Sequence, residues 1–162
     1  MLIGMPSVGK STAGVLVAKR LGFGYLDGDL LIRREEGALL SEIIEAKGVD
    51  AFIEIEERVN LGIDTFHCVV STGGSAVYSE AAMRHLQQIG MVVYLKIGAD
   101  EVKRRIPSLA KRGVVMRGSV SSVEELYAER APLYEKYASV TVECDGKSID
   151  EIVNEIVSLT ED

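Results

Sequence analysis

Apolar positions along the chain alternate between short runs that suit buried strands and longer stretches with helical spacing. Met1-Leu2-Ile3 is an apolar run that can end a strand. Ser11 to Leu21 then carries Val15, Leu16, Ala18 and Leu21 at helical spacing, and Gly22 suits a left-handed cap. Phe23-Gly24-Tyr25-Leu26 predicts a second short strand, ending at Asp27-Gly28-Asp29. Helical patterning returns from Leu30 to Lys47, interrupted by Gly37 and closed by Gly48, and again from about Asp50 to Gly62. His67 to Ser71 is rich in strand formers and runs into Thr72-Gly73-Gly74-Ser75. Glu80 to Gln88 predicts a helix with Met83 and Leu86 inward. Met91 to Leu95 is apolar enough for a strand buried on both faces. Asp100 to Ile106 predicts a helix that Pro107 ends. A polar, glycine-containing stretch from Ser108 to Ser122 follows and reads as a mobile flap. Ser122 and Glu125 can form a capping box for a helix carrying Tyr127, Arg130 and Tyr134. Val140-Thr141-Val142 is the last strand. Ser148 and Glu151 box the closing helix, whose stripe is Ile149, Ile152, Val153, Ile156 and Val157. This alternation, without repeats or a linker, predicts an α/β domain spanning 1–162, a parallel sheet with helices on both faces.

Composition narrows the partners. With 162 residues, 47% hydrophobic and 27% charged, the chain fits a soluble globular domain with a proper core. A formal net charge of −7 argues against an electrostatic grip on nucleic acid or an anionic membrane, so an anionic ligand must be held by local positive groups. No apolar run approaches the roughly 20 residues that span a bilayer, and the N-terminus lacks a basic segment followed by an apolar core; a cytoplasmic location is expected. Cys68 and Cys144 have no C-x-x-C spacing and no histidine placed to make a zinc site, so they read as buried free thiols. His67, at the start of a buried strand, and His85, in a helix, have no ligand-spaced partner and read as packing or surface residues, as do Tyr127 and Tyr134.

Gly4 to Ser11 reads G-x-x-x-x-G-K-S and is followed by Thr12. Strand, loop and helix in that order turn successive backbone N–H groups and the positive end of a helix dipole toward phosphate. Gly4, Ser7, Val8, Gly9, Lys10, Ser11 and Thr12 are therefore candidates for binding a nucleotide's phosphates, with Lys10 reaching the β- and γ-phosphates and the Ser11 hydroxyl ligating Mg²⁺. Arg105 is added on the nucleotide side. No N-K-x-D motif is present, which disfavours a GTPase. Asp27 and Asp29 end the second strand, where one carboxylate can organise the waters of Mg²⁺ and the other can orient an attacking hydroxyl. The same run can also be a solvated turn that caps the next helix. Gly73 and Gly74 would lay bare backbone at the carboxyl edge of the sheet, where ligands bind in open α/β folds.

These motifs resemble the shikimate kinases over nearly the whole chain: G-x-x-x-x-G-K-S-T, D-x-D, Phe52 and Glu56 in the next helix, T-G-G before A-V, a basic flap, and E-R-A-P-L-Y at Glu129 to Tyr134. The resemblance implies a three-layer P-loop kinase fold with five parallel strands in the order 2-3-1-4-5. It also implies a substrate-binding region about 29–62 and a lid about 107–122 that closes on ATP. It implies transfer of the ATP γ-phosphate to a hydroxyl of a small anionic metabolite, first of all shikimate to shikimate 3-phosphate. On this resemblance Lys10 and Ser11 serve ATP and Mg²⁺, and Asp27 supports the metal's water shell. Asp29 contacts the acceptor hydroxyl, and Gly73 and Gly74 offer N–H groups to the substrate. Arg112 is the lid arginine, and Arg130 binds the substrate carboxylate. A monomer is the family default.

The chain departs from the family pattern at three positions. Ile53 stands where an arginine grips the substrate carboxylate, Ser75 replaces the third glycine, and Gly113 follows the lid arginine in place of proline. Arg58 does not replace the missing arginine, because five helical residues turn its side chain roughly 140° away. Loss of the clamp should weaken shikimate binding by about 2 to 5 kcal/mol if nothing compensates. Two alternatives follow. The acceptor could be a hydroxy amino acid such as homoserine, its amine held by Glu54, Glu56 and Glu57, unless these form a plain solvated helix face. The chain could also be a catalytically silent ATP-binding module. Three residues before Gly4 also make a short first strand for the middle of a sheet.

Overall fold

The computed structural model describes residues 1–106 and 114–160. Along the chain lie β1 (Leu2–Ile3), α1 (Lys10–Leu21), β2 (Gly24–Asp27), α2 (Gly28–Glu36), α3 (Leu40–Lys47), α4 (Val49–Leu61) and β3 (Cys68–Ser71). A short 3₁₀ turn (Ala76–Tyr78) leads to α5 (Glu80–Ile89), β4 (Val93–Lys96) and α6 (Ala99–Arg105). The chain closes with α7 (Val123–Tyr137), β5 (Val140–Glu143) and α8 (Ile149–Ser158). The five strands form one parallel sheet in the order β2-β3-β1-β4-β5, the order the resemblance implies.

The first strand is short, yet it occupies the centre of the sheet. Leu2 pairs with Ser71 on one side and with Val93 on the other. The ladder continues past its ends, because Val93 N–H donates to Met1 O at 2.8 Å and Thr72 N–H to Leu2 O at 3.1 Å. Two neighbours thus satisfy the backbone that a two-residue strand cannot satisfy alone. On the far side of β1, Val93, Tyr94 and Leu95 are fully buried, as their apolar run predicts.

Two apolar clusters result. The larger surrounds the sheet, with α1 packed on α8 and α4 on α5. The smaller joins Ile32, Ile43, Phe52, Ile55 and Val59 of α2, α3 and α4 to Val115. It gives the region after β2 its own support, so the residues at the strand tip stand on a packed base.

Local expectations differ from the structure at a few points. The helical pattern from Leu30 to Lys47 is two helices, because Gly37 takes φ 67° and its N–H closes α2 on Arg33 O. His67 does not start a strand. It is exposed, has φ 48°, stacks on Phe23 and lies tilted against Phe66. Ser148 and Glu151 form the expected box, but Ser122 and Glu125 form only half of one. The Ser122 hydroxyl accepts from Glu125 N–H, whereas the Glu125 carboxylate turns to Ser121 N–H and its hydroxyl. Cys144 is buried and Cys68 half-buried, both as free thiols. Among the described residues no helix is long and apolar enough to cross a membrane. Of the expected lid, residues 107–113, including Lys111 and Arg112, lie outside the described part; 114–122 lead into α7.

Candidate active site

The turn between β1 and α1 wraps around the Lys10 side chain. Gly4 has φ 149°, and a Cβ there would lie 2.6 Å from Leu95 O, so only glycine lets this backbone pass β4. Gly9, at φ 99°, turns the chain into the helix. Lys10 Nζ donates to Gly4 O at 2.8 Å and Met5 O at 2.9 Å. Burial pushes the Lys10 ammonium down to about 8, against the pull of the Asp29 carboxylate. Val8 is buried beneath the turn, and Arg105 reaches over it from α6, its Nη1 3.4 Å from Ser7 O and 3.3 Å from Val8 O.

At the tip of β2 one carboxylate does two jobs. Asp27 Oδ1 accepts from the N–H groups of Asp29 (3.0 Å) and Leu30 (3.3 Å), which caps α2. Its Oδ2 accepts from the Ser11 hydroxyl at 2.7 Å and from the Tyr25 hydroxyl at 3.2 Å. The capping turn and the carboxylate beside the phosphate loop are therefore one structure, not alternatives. Among the described residues no group of three or more His, Cys, Asp or Glu could hold a metal. Ser11 and Asp27 offer one hydroxyl and one carboxylate, a partial oxygen set of the kind Mg²⁺ completes with water and phosphate.

Asp29 faces Lys10 across a cavity of about 260 Å³, lined also by Ser7, Gly9, Ser11, Thr12, Phe52, Thr72, Gly74, Ser75, Val114, Val115 and Arg130. Burial raises the Asp29 carboxyl above its ordinary range, and Lys10 opposes that shift. Arg130 is buried at the far wall. Its Nε donates to the Tyr78 hydroxyl at 3.0 Å and its Nη2 to Val115 O at 2.5 Å. Nη1 lies beside Gly74, 2.8 Å from where a Cβ on that glycine would stand. One helical turn on, the Tyr134 hydroxyl donates to Gly74 O at 2.5 Å and pins the glycine strip that follows β3.

Of the residues singled out from sequence, Lys10, Ser11, Asp27, Asp29, Gly74 and Arg130 converge on this cavity or its edge. Ile53 does not line it. That side chain packs in the smaller apolar cluster, while its neighbour Phe52 forms the cavity wall. The three glutamates of α4 go separate ways. Glu54 is exposed, Glu57 accepts from the Ser79 hydroxyl, and Glu56 is 3% exposed behind Gly73. A Cβ on Gly73 would collide with Glu56 Oε2 and lie 2.8 Å from Asp29 Oδ1, so both carboxyl groups press on this glycine. Ser75 Oγ donates to Glu56 Oε1 at 2.6 Å, Glu56 Oε2 has no partner among the described residues, and burial pushes the Glu56 carboxyl up to about 7.

Sequence reasoning missed Tyr25, Tyr78, Tyr134 and the Ser75–Glu56 pair. Two of these had a signal. Tyr25 lies two residues before Asp27 and so shares its face of a strand, and Tyr134 lies four after Arg130 and so shares its face of a helix. Tyr78 had none, because a 3₁₀ turn after β3 brings it to α7.

Comparison with known proteins points to one family. The family model described as Shikimate kinase matches residues 6–161. A shikimate kinase from Persephonella marina is 32% identical over 157 residues, covering 96% of this chain and 94% of its own. The solved shikimate kinase of Aquifex aeolicus superposes with a TM-score of 0.86 at 29% identity, covering 99% of this chain and 94% of its own. That of Acinetobacter baumannii, in complex with shikimate, gives 0.84 at 28% identity, with 99% and 90% coverage.

Proposed function

The chain belongs to the shikimate kinase family, and from that premise we propose that it transfers the γ-phosphoryl group of ATP to a hydroxyl of shikimate. The observation that carries this reading is the convergence of Lys10, Asp29 and Arg130 on one cavity beside the phosphate loop. Donor and acceptor would meet there with a cation, a base and a carboxylate anchor in place.

The backbone N–H groups of the Gly4–Thr12 turn hold the triphosphate, and Lys10 balances its charge in a buried setting where the interaction is strong. Ser11 and Asp27 would hold Mg²⁺, which when bound with ATP neutralises phosphate charge. Asp29 accepts a hydrogen bond from the acceptor hydroxyl and takes its proton as the oxygen attacks phosphorus. Its raised basicity suits it to that task. Arg130 Nη1 faces the substrate carboxylate, while Tyr78 and Val115 hold the rest of the guanidinium in plane. Arg112 would add a cation from the lid.

Homoserine fits less well. An ammonium group needs carboxylates in the cavity, and of the three α4 glutamates none lines it. Steady-state assays with ATP, Mg²⁺ and either compound test the reading. Formation of shikimate 3-phosphate is expected; turnover of homoserine alone would overturn it.

A further inference from the structure

Behind the cavity wall stands a buried carboxylate that the phosphoryl transfer does not use. Glu56 is 3% exposed, and its Oε2 has no hydrogen-bond partner among the described residues. Its Oε1 accepts from Ser75 Oγ at 2.6 Å, and Ser75 itself lines the cavity. Leaving one buried carboxylate oxygen unsatisfied costs folding free energy, so the arrangement calls for a compensating gain.

The chemistry of a hydroxyl supplies one. Serine has a single proton to donate and two lone pairs. An ionised Glu56 has no proton to give, so Ser75 must be the donor in that bond. What Ser75 then turns to the cavity is a pure acceptor, oriented by a buried carboxylate that lies beside Gly73. Asp29, the other acceptor beside Gly73, is engaged by the reacting hydroxyl. Arg130 is a donor and takes the carboxylate.

We propose that Ser75, oriented by Glu56, is a specificity-determining residue that accepts a hydrogen bond from a second hydroxyl of the acceptor. The cavity therefore selects carboxylates with at least two hydroxyl groups, one to be phosphorylated and one to be recognised. The inference rests on the shikimate reading above and assigns a contact within it. Glu56 is a positioning residue and acts through Ser75.

The test compares shikimate with its 4-deoxy and 5-deoxy analogues at pH 8, where Glu56 is ionised. In the wild type one analogue should lose about tenfold in kcat/KM, the scale of a hydrogen bond to an oriented group. In Ser75→Ala shikimate itself should fall by a similar factor, and the parent and that analogue should agree within about twofold. KM for ATP should hold in the variant, which reports an intact phosphate loop. In Glu56→Gln the side-chain amide can donate to Ser75 and release the serine proton toward the cavity. Discrimination between parent and analogue should fall there, because the fixed acceptor orientation is lost although the Ser75 hydroxyl remains. Ser75→Thr, which restores a hydroxyl, should recover part of it. Wild-type enzyme that phosphorylates shikimate and both analogues equally well overturns the inference and leaves the kinase reading intact, even if neither variant folds. Equal discrimination in wild type and Ser75→Ala overturns it as well. No turnover of shikimate at all removes the kinase reading and this contact with it.

Discussion

Asp29 and Lys10 face each other in a setting where each shifts the other. Burial favours the neutral form of both, and their mutual attraction opposes it. Asp29→Asn keeps the shape but removes the proton acceptor, and Lys10→Ala removes the cation. Each is expected to lower single-turnover phosphoryl transfer by at least about a thousandfold. Near-normal transfer in Asp29→Asn would take the carboxylate out of the mechanism. Glu56 leads to a different prediction. Its carboxyl titrates near 7 in the fold and ordinarily near 4.5, so the folded chain binds that proton more tightly than the unfolded one. The stabilisation is fully present below about 4.5 and is lost as pH rises through about 7. Glu56→Gln should therefore be the more stable protein at pH 8, by on the order of 1 to 3 kcal/mol, and lose that advantage near pH 4.5. Urea midpoints at the two pH values check it. An advantage independent of pH would mean that the effect is packing and not charge.

Among the elements, α4 and α7 decide the acceptor side. On α4, Ile53 and Glu56 are three residues apart and so lie on neighbouring positions of one face. An arginine at position 53 could reach the unpartnered Glu56 oxygen and face the cavity with its remaining N–H groups. Ile53→Arg is expected to lower KM for shikimate, by about tenfold, with kcat and the ATP KM little changed. A rise in KM would show that the apolar packing of Ile53 matters more. On α7, Arg130 and Tyr134 stand one turn apart, the first lining the cavity and the second on Gly74 O. Tyr134→Phe leaves the half-buried Gly74 carbonyl without its donor and frees the glycine strip. A loss of about 1 to 3 kcal/mol of stability should follow, with a higher KM for shikimate. Most of these elements were legible along the chain, because each is a local period closed by a cap or a glycine. The start of α7 is where Ser122 placed it, even though the Glu125 carboxylate found Ser121 as its partner.

At the scale of the molecule, the substrate region and α7 meet through Val115. Its side chain is buried in the cluster of α2, α3 and α4, and its carbonyl takes Arg130. Val115→Ala should cost about 1 to 3 kcal/mol, lowering the urea midpoint, and should weaken shikimate more than ATP because it loosens the seat of Arg130. Equal weakening of both ligands would place the effect elsewhere. The amino-acid sequence alone determined the donor half of the site. A phosphate loop is contiguous, so the spacing of Gly4, Gly9, Lys10 and Ser11 along the chain is already their spacing in space, and the strand and helix around it follow from local periodicity. The tertiary structure decided the acceptor half. Placing β3 between β2 and β1 brings Gly73 against Asp29 and Glu56, sets Ser75 on Glu56, and lets Tyr78 meet Arg130. Those partners lie tens of residues apart, and nothing in local spacing joins them; only the order of strands across the sheet does.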